Sequence, residues 1–322
     1  MKNWINRLIS NPDPAAPQAR ADAPAEPAAA QPTAAEIDAA WYRWLTASAA
    51  VDAPPEIEQL ILARVGQMAS DPVAAAGMVP RVPEVVQQIL HSLGDEDTST
   101  AELARQVAQD VVLVAEVIRE ANSAYYRPIT PVKNAEAAIT MLGQNGLRML
   151  LARIAFRPIV NMELDGFPRR AAPRIWDQSV KCALAASLMA PGLTAGVFEA
   201  YLAGLMQNVG LVVALRLADG ALPYERIPLS PAFGARLLQA SRTLSANIAT
   251  HWDFPPQVAA AILHAGDPGD AVLAQALAQG DRIAKLRMLI DAKVIGEDDA
   301  LVEDGLSSFQ RRCLGKLENL QT

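Results

Sequence analysis

Histidine and cysteine are scarce in this 322-residue chain. There are three histidines, His91, His251 and His264, and two cysteines, Cys182 and Cys313. So few imidazole and thiolate groups exclude a zinc site and make any centre built from several histidines hard to assemble. The two cysteines lie far apart in the sequence and indicate no disulfide framework, so we expect a protein of the reducing cytoplasm.

Positive charge and long apolar runs are also in short supply. Lys and Arg number 28 against 35 Asp and Glu, which gives a formal net charge of −7. This balance argues against a mainly electrostatic nucleic-acid binder, because phosphate contacts need clustered cations. No uncharged apolar run reaches the roughly 18 residues of a membrane span. Residues 1–9 are amphipathic but lack the apolar region of a signal peptide, so we expect no stable membrane insertion.

Sequence motifs for phosphate binding and nucleophilic catalysis are missing, with no GxGxxG, P-loop, nucleophile elbow or CxxC. Cys182 lies on an apolar helical face, where a buried and inert thiol is expected. Residues 99–121 and 134–154 each have the outline of a helix-turn-helix, but the basic residues that a recognition helix needs are few. Nucleic-acid binding therefore stays an alternative with little support.

The chain is predicted to be all-α, because apolar residues recur with helical spacing from Glu36 onward and alternating strand patterns are nearly absent. Residues 11–35 are rich in Ala and Pro, a composition typical of a disordered linker. The predicted organisation is an amphipathic N-terminus with its linker (1–35), a helical appendage (36–75), the main helical domain (76–290) and a C-terminal helix (291–322).

Residue types that start or stop helices predict where several helices begin and end. Helices are expected to begin at Pro83, near Asp110 and at Pro173, and Gly143 is expected to end a helix. One further helix is expected over roughly 300–319.

Ordered blocks of sequence resemble the HDOD domain, a metal-independent relative of the HD phosphohydrolases. The blocks include Ile118–Tyr126, Ala138–Arg148, Ala200–Gly210 and Trp252–Pro255, in a stretch over roughly 78–285. The residues that carry the resemblance are Ala121, Asn122, Ser123, Leu142, Gly143, Gly204, Gly210 and Trp252. Each also has a structural explanation, since short polar side chains cap helix ends and glycines permit close helix packing.

The departures from the HD pattern fall on the positions that hold metal in the catalytic relatives. The resemblance implies a histidine at the position of Gln178, a His-Asp doublet at Gln207-Asn208 and a histidine at Ser241. It also implies a later histidine cluster, of which this chain keeps only His264. Amides lack the charge and basicity that a metal centre needs. We therefore expect no metal and no cofactor, and either an internal polar network or a small-ligand pocket at Gln178, Gln207, Asn208, Ser241 and His264.

The resemblance implies a non-enzymatic regulatory module of bacterial signal transduction, acting through a signalling protein partner or a small ligand such as a nucleotide. Two alternatives stay open, namely a nucleotide phosphohydrolase with a displaced metal site and a nucleic-acid-binding regulator. Metal content and turnover distinguish the enzyme from the module, and salt-dependent binding of DNA or RNA would identify the third class.

Overall fold

A computed structural model describes residues 34–79, 105, 107–108, 110–123, 126, 128–160, 165–219, 221, 226–318 and 320. In this part of the chain the fold is all-α, as predicted. The helices are α1 (Ala34–Thr46), α2 (Pro55–Ala69), α3 (Pro72–Gly77), α4 (Val111–Ala121), α5 (Ala135–Val160), α6 (Gly166–Met189), α7 (Val197–Met206), α8 (Val209–Asp219), α9 (Pro231–His251), α10 (Pro256–His264), α11 (Val272–Asp291), α12 (Ala300–Glu303) and α13 (Ser308–Lys316).

Helix ends follow the residue types that cap free backbone groups. The Asp110 carboxylate accepts hydrogen bonds from the amides of Val112 and Leu113 and starts α4 where the sequence predicted it. Ser307 starts α13 with a reciprocal capping box to Gln310. The predicted helix from Pro83, the linker over residues 11–33 and His91 lie outside the described residues.

Breaks within helices agree with one prediction and correct two others. Gly143 has φ 67° and ψ 176°, a conformation open essentially to glycine, and it divides α5 as predicted. Pro173 does not open a helix, because α6 already begins at Gly166 and continues through the proline. The helix expected over 300–319 is two helices, interrupted between Glu303 and Ser308.

The two-residue strands β1 (Ala50–Val51) and β2 (Ile227–Pro228) pair in parallel, an element that the sequence did not predict. The hydroxyl of Tyr42 on α1 donates to the carbonyl of Pro228 at 2.8 Å. These contacts attach the N-terminal helices to the start of α9, and Trp41 and Leu45 enter the main hydrophobic core. The predicted appendage therefore shares its core with the main domain.

Helix α6 lies at the centre and packs against α7, α8 and α11. Small residues bring the helices close, since a Cβ on Gly204 would lie 2.4 Å from the Cα of Ala183. A Cβ on Gly280 of α11 would lie 2.6 Å from the amide nitrogen of Ala186. These approaches place the middle of α6 within side-chain reach of both neighbouring helices.

One described stretch, Val197–Asp219, is long and apolar enough to cross a membrane by length and composition alone. It comprises α7, α8 and the turn that joins them, and 83% of its most apolar window is buried inside the fold. A buried core helix has the same composition, because its neighbours rather than lipid cover its apolar side chains.

Replacing Gly204 by alanine should destabilise the protein by about 1–3 kcal/mol, because the new methyl group meets the α6 backbone. Gly66 on α2 is the matched control, since nothing lies within 4 Å of a Cβ built there. Gly66→Ala should stabilise the protein by up to about 1 kcal/mol through helix propensity. Urea unfolding of both variants measures the two effects, and equal stability of both would contradict the packing described for α6 and α7.

Candidate functional site

Three of the predicted amides lie together at the centre of the fold. Gln178 projects from α6, and Gln207 and Asn208 occupy the turn between α7 and α8. Asn208 Nδ2 donates to Gln178 Oε1 and, at 3.1 Å, to Ser179 Oγ. Gln178 and Gln207 are buried. The structure thus brings the substituted positions into one hydrogen-bonded cluster.

A buried carboxylate that the sequence analysis missed connects this cluster. Asp281 Oδ1 on α11 accepts hydrogen bonds from Gln178 Nε2 at 2.5 Å and from Gln207 Nε2 at 3.0 Å. Gln207 Nε2 also lies 2.9 Å from Cys182 Sγ. Asp281 thus joins the two glutamines of α6 and the α7–α8 turn to α11.

The second oxygen of Asp281 is bound by a buried lysine. Lys285 Nζ, one helical turn further along α11, donates to Asp281 Oδ2 at 2.6 Å and to Asp38 Oδ1 of α1 at 2.5 Å. Arg242 of α9 donates to the other Asp38 oxygen at 3.1 Å. The ring of Trp41 lies 5.2 Å from Lys285 Nζ, within the range of a cation–π contact. We call Gln178, Gln207, Asn208, Asp281, Lys285, Asp38 and Arg242 the buried network. Of these, Gln178, Gln207, Asp281 and Lys285 are buried, and the other three are half-buried.

Opposite charges nearby favour the ionised forms of Asp38 and Lys285 despite their burial. Burial opposes ionisation of Asp38, but Lys285 and Arg242 outweigh it and hold the pKa of the carboxyl below its ordinary value of 3.8. Burial likewise opposes the charge of Lys285, yet Asp281 and Asp38 raise its pKa above 10.5. Two carboxylates therefore balance two cations within the network.

Burial, reinforced by the charge of Asp281, raises the pKa of the Cys182 thiol well above its ordinary value. The thiol is fully buried and stays protonated at neutral pH, because a thiolate would form without solvent beside a carboxylate. Cys182 is therefore no nucleophile, in agreement with its position on an apolar helical face.

Two of the predicted site residues take no part in the hydrogen bonds of the network. The Ser241 hydroxyl donates to the carbonyl of Leu238 in its own helix. Ser245, one helical turn further along α9, connects this helix to the α7–α8 turn instead. Its hydroxyl donates to the carbonyl of Gln207 at 2.6 Å and accepts from the amide of Gly210 at 2.8 Å. His264 is the exposed last residue of α10.

The family-motif residues have structural contacts, except that the buried hydroxyl of Ser123 has no hydrogen-bond partner among the described residues. Asn122 at the end of α4 bonds to the amide and carbonyl of Val132, each at 2.8 Å, and to the carbonyl of Ile118. It joins α4 to the segment before α5. Ala121 and Leu142 are buried in the core between these helices, Gly210 lies against α9, and half-buried Trp252 ends α9 and packs on the main core.

The residues present do not fit a divalent metal. Metal ligands must direct lone pairs toward the ion, whereas amide N–H groups and an ammonium group point at both oxygens of Asp281. Within the described ranges, no group of three or more His, Cys, Asp or Glu side chains could hold a metal ion.

A surface groove of about 520 Å³ lies between α9 and α10. Its walls include Ala246, Phe254 and Leu263, and its polar edge includes Asn247, Thr250 and Asp253. Among the described residues that line the groove, Asp253 is the one with an ionisable side chain. The groove is therefore apolar with an acidic edge.

Acid should weaken the ion pairs of Asp38 in a defined pH window. Because its folded pKa lies below 3.8, its contribution to stability is present above that value and is lost as the pH falls through the folded pKa. Asp38→Asn should lower the free energy of unfolding by roughly 2–4 kcal/mol at pH 6. The difference from the unmodified chain should narrow below pH 3.8.

Urea unfolding between pH 2.5 and 7 measures this difference. Asp270→Asn, which removes an exposed carboxylate, reports the effect of net charge alone. A destabilisation by Asp38→Asn that keeps its full size below the folded pKa would show that the carboxylate does not bind Lys285 and Arg242 as an ion.

Solved structures with the same fold come from several bacteria. A candidate metal-dependent phosphohydrolase from Shewanella amazonensis SB2B is 20% identical, with a TM-score of 0.57 over 82% of this chain and all of that chain. An HDOD domain protein of unknown function from Geobacter sulfurreducens is 22% identical, with a TM-score of 0.55 over 80% of this chain and 89% of that one. A candidate signal transduction protein from Marinobacter aquaeolei VT8 is 22% identical, with a TM-score of 0.51 over 74% and 57%. At these identities the likeness shows the fold alone.

A curated relative and a family model complete the comparison. An uncharacterized protein of Treponema pallidum (strain Nichols) is 25% identical over 203 residues, which are 62% of this chain. The matched part spans 34% of that relative's length. The family model of the HDOD domain matches residues 79–268. Because this match covers more than half of the chain, the protein belongs to the HDOD domain family.

Proposed function

We propose that the protein is a non-enzymatic regulatory module of signal transduction that acts by binding another protein. The observation that carries the proposal is the hydrogen bonding of Asp281. Its two oxygens accept hydrogen bonds from the side-chain amides of Gln178 and Gln207 and from the Lys285 ammonium group. The carboxylate best placed to hold a metal or accept a proton is thus already bound on both oxygens.

Hydrolysis at this position would need groups that the network lacks. A metal-activated water requires several lone-pair ligands and an open coordination position. A general base requires a basic group within reach of water, and Gln178 and Gln207 are neutral amides buried in the core. The network therefore favours a structural role for the former catalytic positions.

A nucleotide ligand is not favoured at either polar location. Phosphate recognition needs cations free to bind it, whereas Lys285 and Arg242 are neutralised by Asp281 and Asp38. The groove between α9 and α10 carries the acidic Asp253, which would repel phosphate. Net charge of −7 weighs against nucleic acid in the same way. These charges favour contact with another protein as the mode of action that we propose.

Membership of the HDOD family and the fold shared with the Marinobacter protein support a signalling context. The cysteines support a cytoplasmic location, because Cys182 and Cys313 are both free and buried. We assign the protein to the cytoplasm on this basis.

The purified full chain should contain no stoichiometric transition metal and should not hydrolyse cyclic or linear nucleotides. Dialysis against a chelator should leave its melting temperature unchanged, because no metal contributes to folding. Elemental analysis, a nucleotide hydrolysis assay and thermal unfolding measure the three properties. Bound metal with turnover that is abolished by Asp281→Asn would establish the displaced-site hydrolase instead.

Cyclic dinucleotides and nucleoside triphosphates should not raise the melting temperature at millimolar concentration. A ligand at 100 times its Kd would stabilise the protein by about 2.7 kcal/mol, which a thermal shift detects readily. A protein captured reproducibly from the native host, compared with an unrelated tagged bait, should bind the purified chain directly. Saturable stabilisation by a nucleotide, without a direct protein complex, would replace the partner-binding proposal with ligand sensing.

A further inference from the structure

We propose that the groove between α9 and α10 is the docking site for an amphipathic helix of a partner protein, a helix that carries bulky apolar side chains beside lysine or arginine residues. This inference rests on the proposed function, because it assumes that the protein acts by binding another protein. It adds the place of contact and the chemistry of the partner.

The walls of the groove are lined by small residues. Ala246 on α9 and Ala259 and Ala260 on α10 leave space between the two helices, and Leu263 at the edge is 46% exposed. The volume of about 520 Å³ lies within the roughly 300–1,000 Å³ of ligand pockets. Small walls beside an exposed leucine favour a partner that brings large apolar side chains of its own.

The helical walls favour a helix over an extended strand as the partner. A strand binds by pairing its backbone with an exposed sheet edge. The walls here belong to α9 and α10, and the backbone groups inside an α-helix bond within that helix. A third helix needs no free backbone groups, because its side chains pack into the space between the side-chain ridges of the two walls.

The charge at the edge of the groove favours a basic partner. The Asp253 side chain is exposed, and its carboxylate has no hydrogen bond or ion pair in the described part of the chain. None of the described lining residues is lysine or arginine. A cation on the partner would therefore meet a free carboxylate, whereas an acidic partner would be repelled.

A second exposed carboxylate lies near the Asn247 side of the groove. Asn247 Nδ2 donates to the carbonyl of Ala69 at 2.6 Å, which holds the end of α2 against the α9 wall. Asp71 caps α3 and is exposed, and the chain length places it within about 7 Å of Ala69. Carboxylates thus accompany two of the polar residues of the groove, Asn247 and Asp253.

A designed peptide tests the groove before any natural partner is identified. The probe is a fluorescently labelled helix of about 18 residues made of Leu, Ala and Lys, with Leu at positions i, i+3, i+4 and i+7. It should bind the full chain with a Kd of about 10–100 μM in fluorescence anisotropy. The same peptide with Glu in place of Lys should bind at least about tenfold more weakly, because it meets the carboxylates at the groove.

Two variants of the full chain test the apolar wall. Leu263→Gln removes an exposed apolar side chain without adding charge and should weaken binding of the lysine peptide about fivefold. Ala260→Arg places a bulky cation in the groove and should weaken it at least about tenfold. Leu60→Gln is the matched control, since Leu60 lies on α2 outside the groove and is 42% exposed. It should bind like the unmodified chain.

Asp253→Asn tests the charge with little change of shape. Residue 253 has φ 57°, a conformation that asparagine tolerates as well as aspartate does. The variant should bind the lysine peptide about threefold more weakly at low salt and like the unmodified chain at about 0.5 M salt. Asp304→Asn, which removes an exposed carboxylate after α12, should leave binding unchanged at both salt concentrations.

Three results would overturn the proposal. Absence of peptide binding, or binding that Leu263→Gln and Ala260→Arg leave unchanged, would refute the groove as the site. Equal binding of the glutamate peptide would refute the basic partner. A dimer in sedimentation experiments that Ala260→Arg dissociates would assign the groove to a second copy of the chain instead.

A natural partner separates this inference from the proposed function. A host protein that binds the unmodified chain and Ala260→Arg equally well would refute the groove and leave the regulatory proposal intact. Hydrolytic turnover by the unmodified chain would refute the regulatory proposal even where the lysine peptide binds in the groove. A host protein whose direct binding is lost in Ala260→Arg and kept in Leu60→Gln would support both.

Discussion

The ion pair between Asp281 and Lys285 is the contact on which the arrangement of the central helices depends. Removing two charges from water costs several kcal/mol per ion, and the cost is offset only where every polar atom finds a partner. Here α6 and the α7–α8 turn supply amide donors to Asp281, and α1 supplies a second carboxylate to Lys285. Helices α1, α6 and α11 and the α7–α8 turn must therefore pack in one relative position for Asp281 and Lys285 to keep all their hydrogen bonds.

This constraint holds the central helices together through contacts between protein groups, in the part of the chain that the structure describes. In a metal-binding relative, the ion would hold together side chains from several helices, and its binding energy would be part of the folding energy. In this chain the Lys285 ammonium group and the amide donors of Gln178 and Gln207 connect α1, α6, α11 and the turn between α7 and α8. The buried network thus supports the fold, and binding of a partner at the surface belongs to the function that we propose.

The helical architecture and much of the cluster could be predicted from the sequence. Helical periodicity predicted α1, α2 and α9, and the start of α4 was predicted near Asp110. The blocks that resemble the family identified Gln178, Gln207 and Asn208 as substituted positions. Asp281 and Lys285 could not be recognised, because a pair spaced four residues apart on a helix has the pattern of an exposed surface salt bridge. Only the packing of α1 and α6 against α11 buries them. The family pattern grouped Ser241 and His264 with the amides. Ser241 lies outside the network because its hydroxyl bonds within its own helix, and His264 because its side chain is exposed.

The ionisation and contacts of Lys285 can be observed directly by NMR of the 15N-labelled side-chain amines. A buried ammonium group held by two carboxylates should give a slowly exchanging cross-peak at neutral pH, absent in Lys285→Met. Its chemical shift should report the charged form, and Asp38→Asn should perturb it strongly. A neutral amine, or lysine signals that all exchange at the rate of exposed side chains, would contradict the account of a buried cation at the centre of the fold.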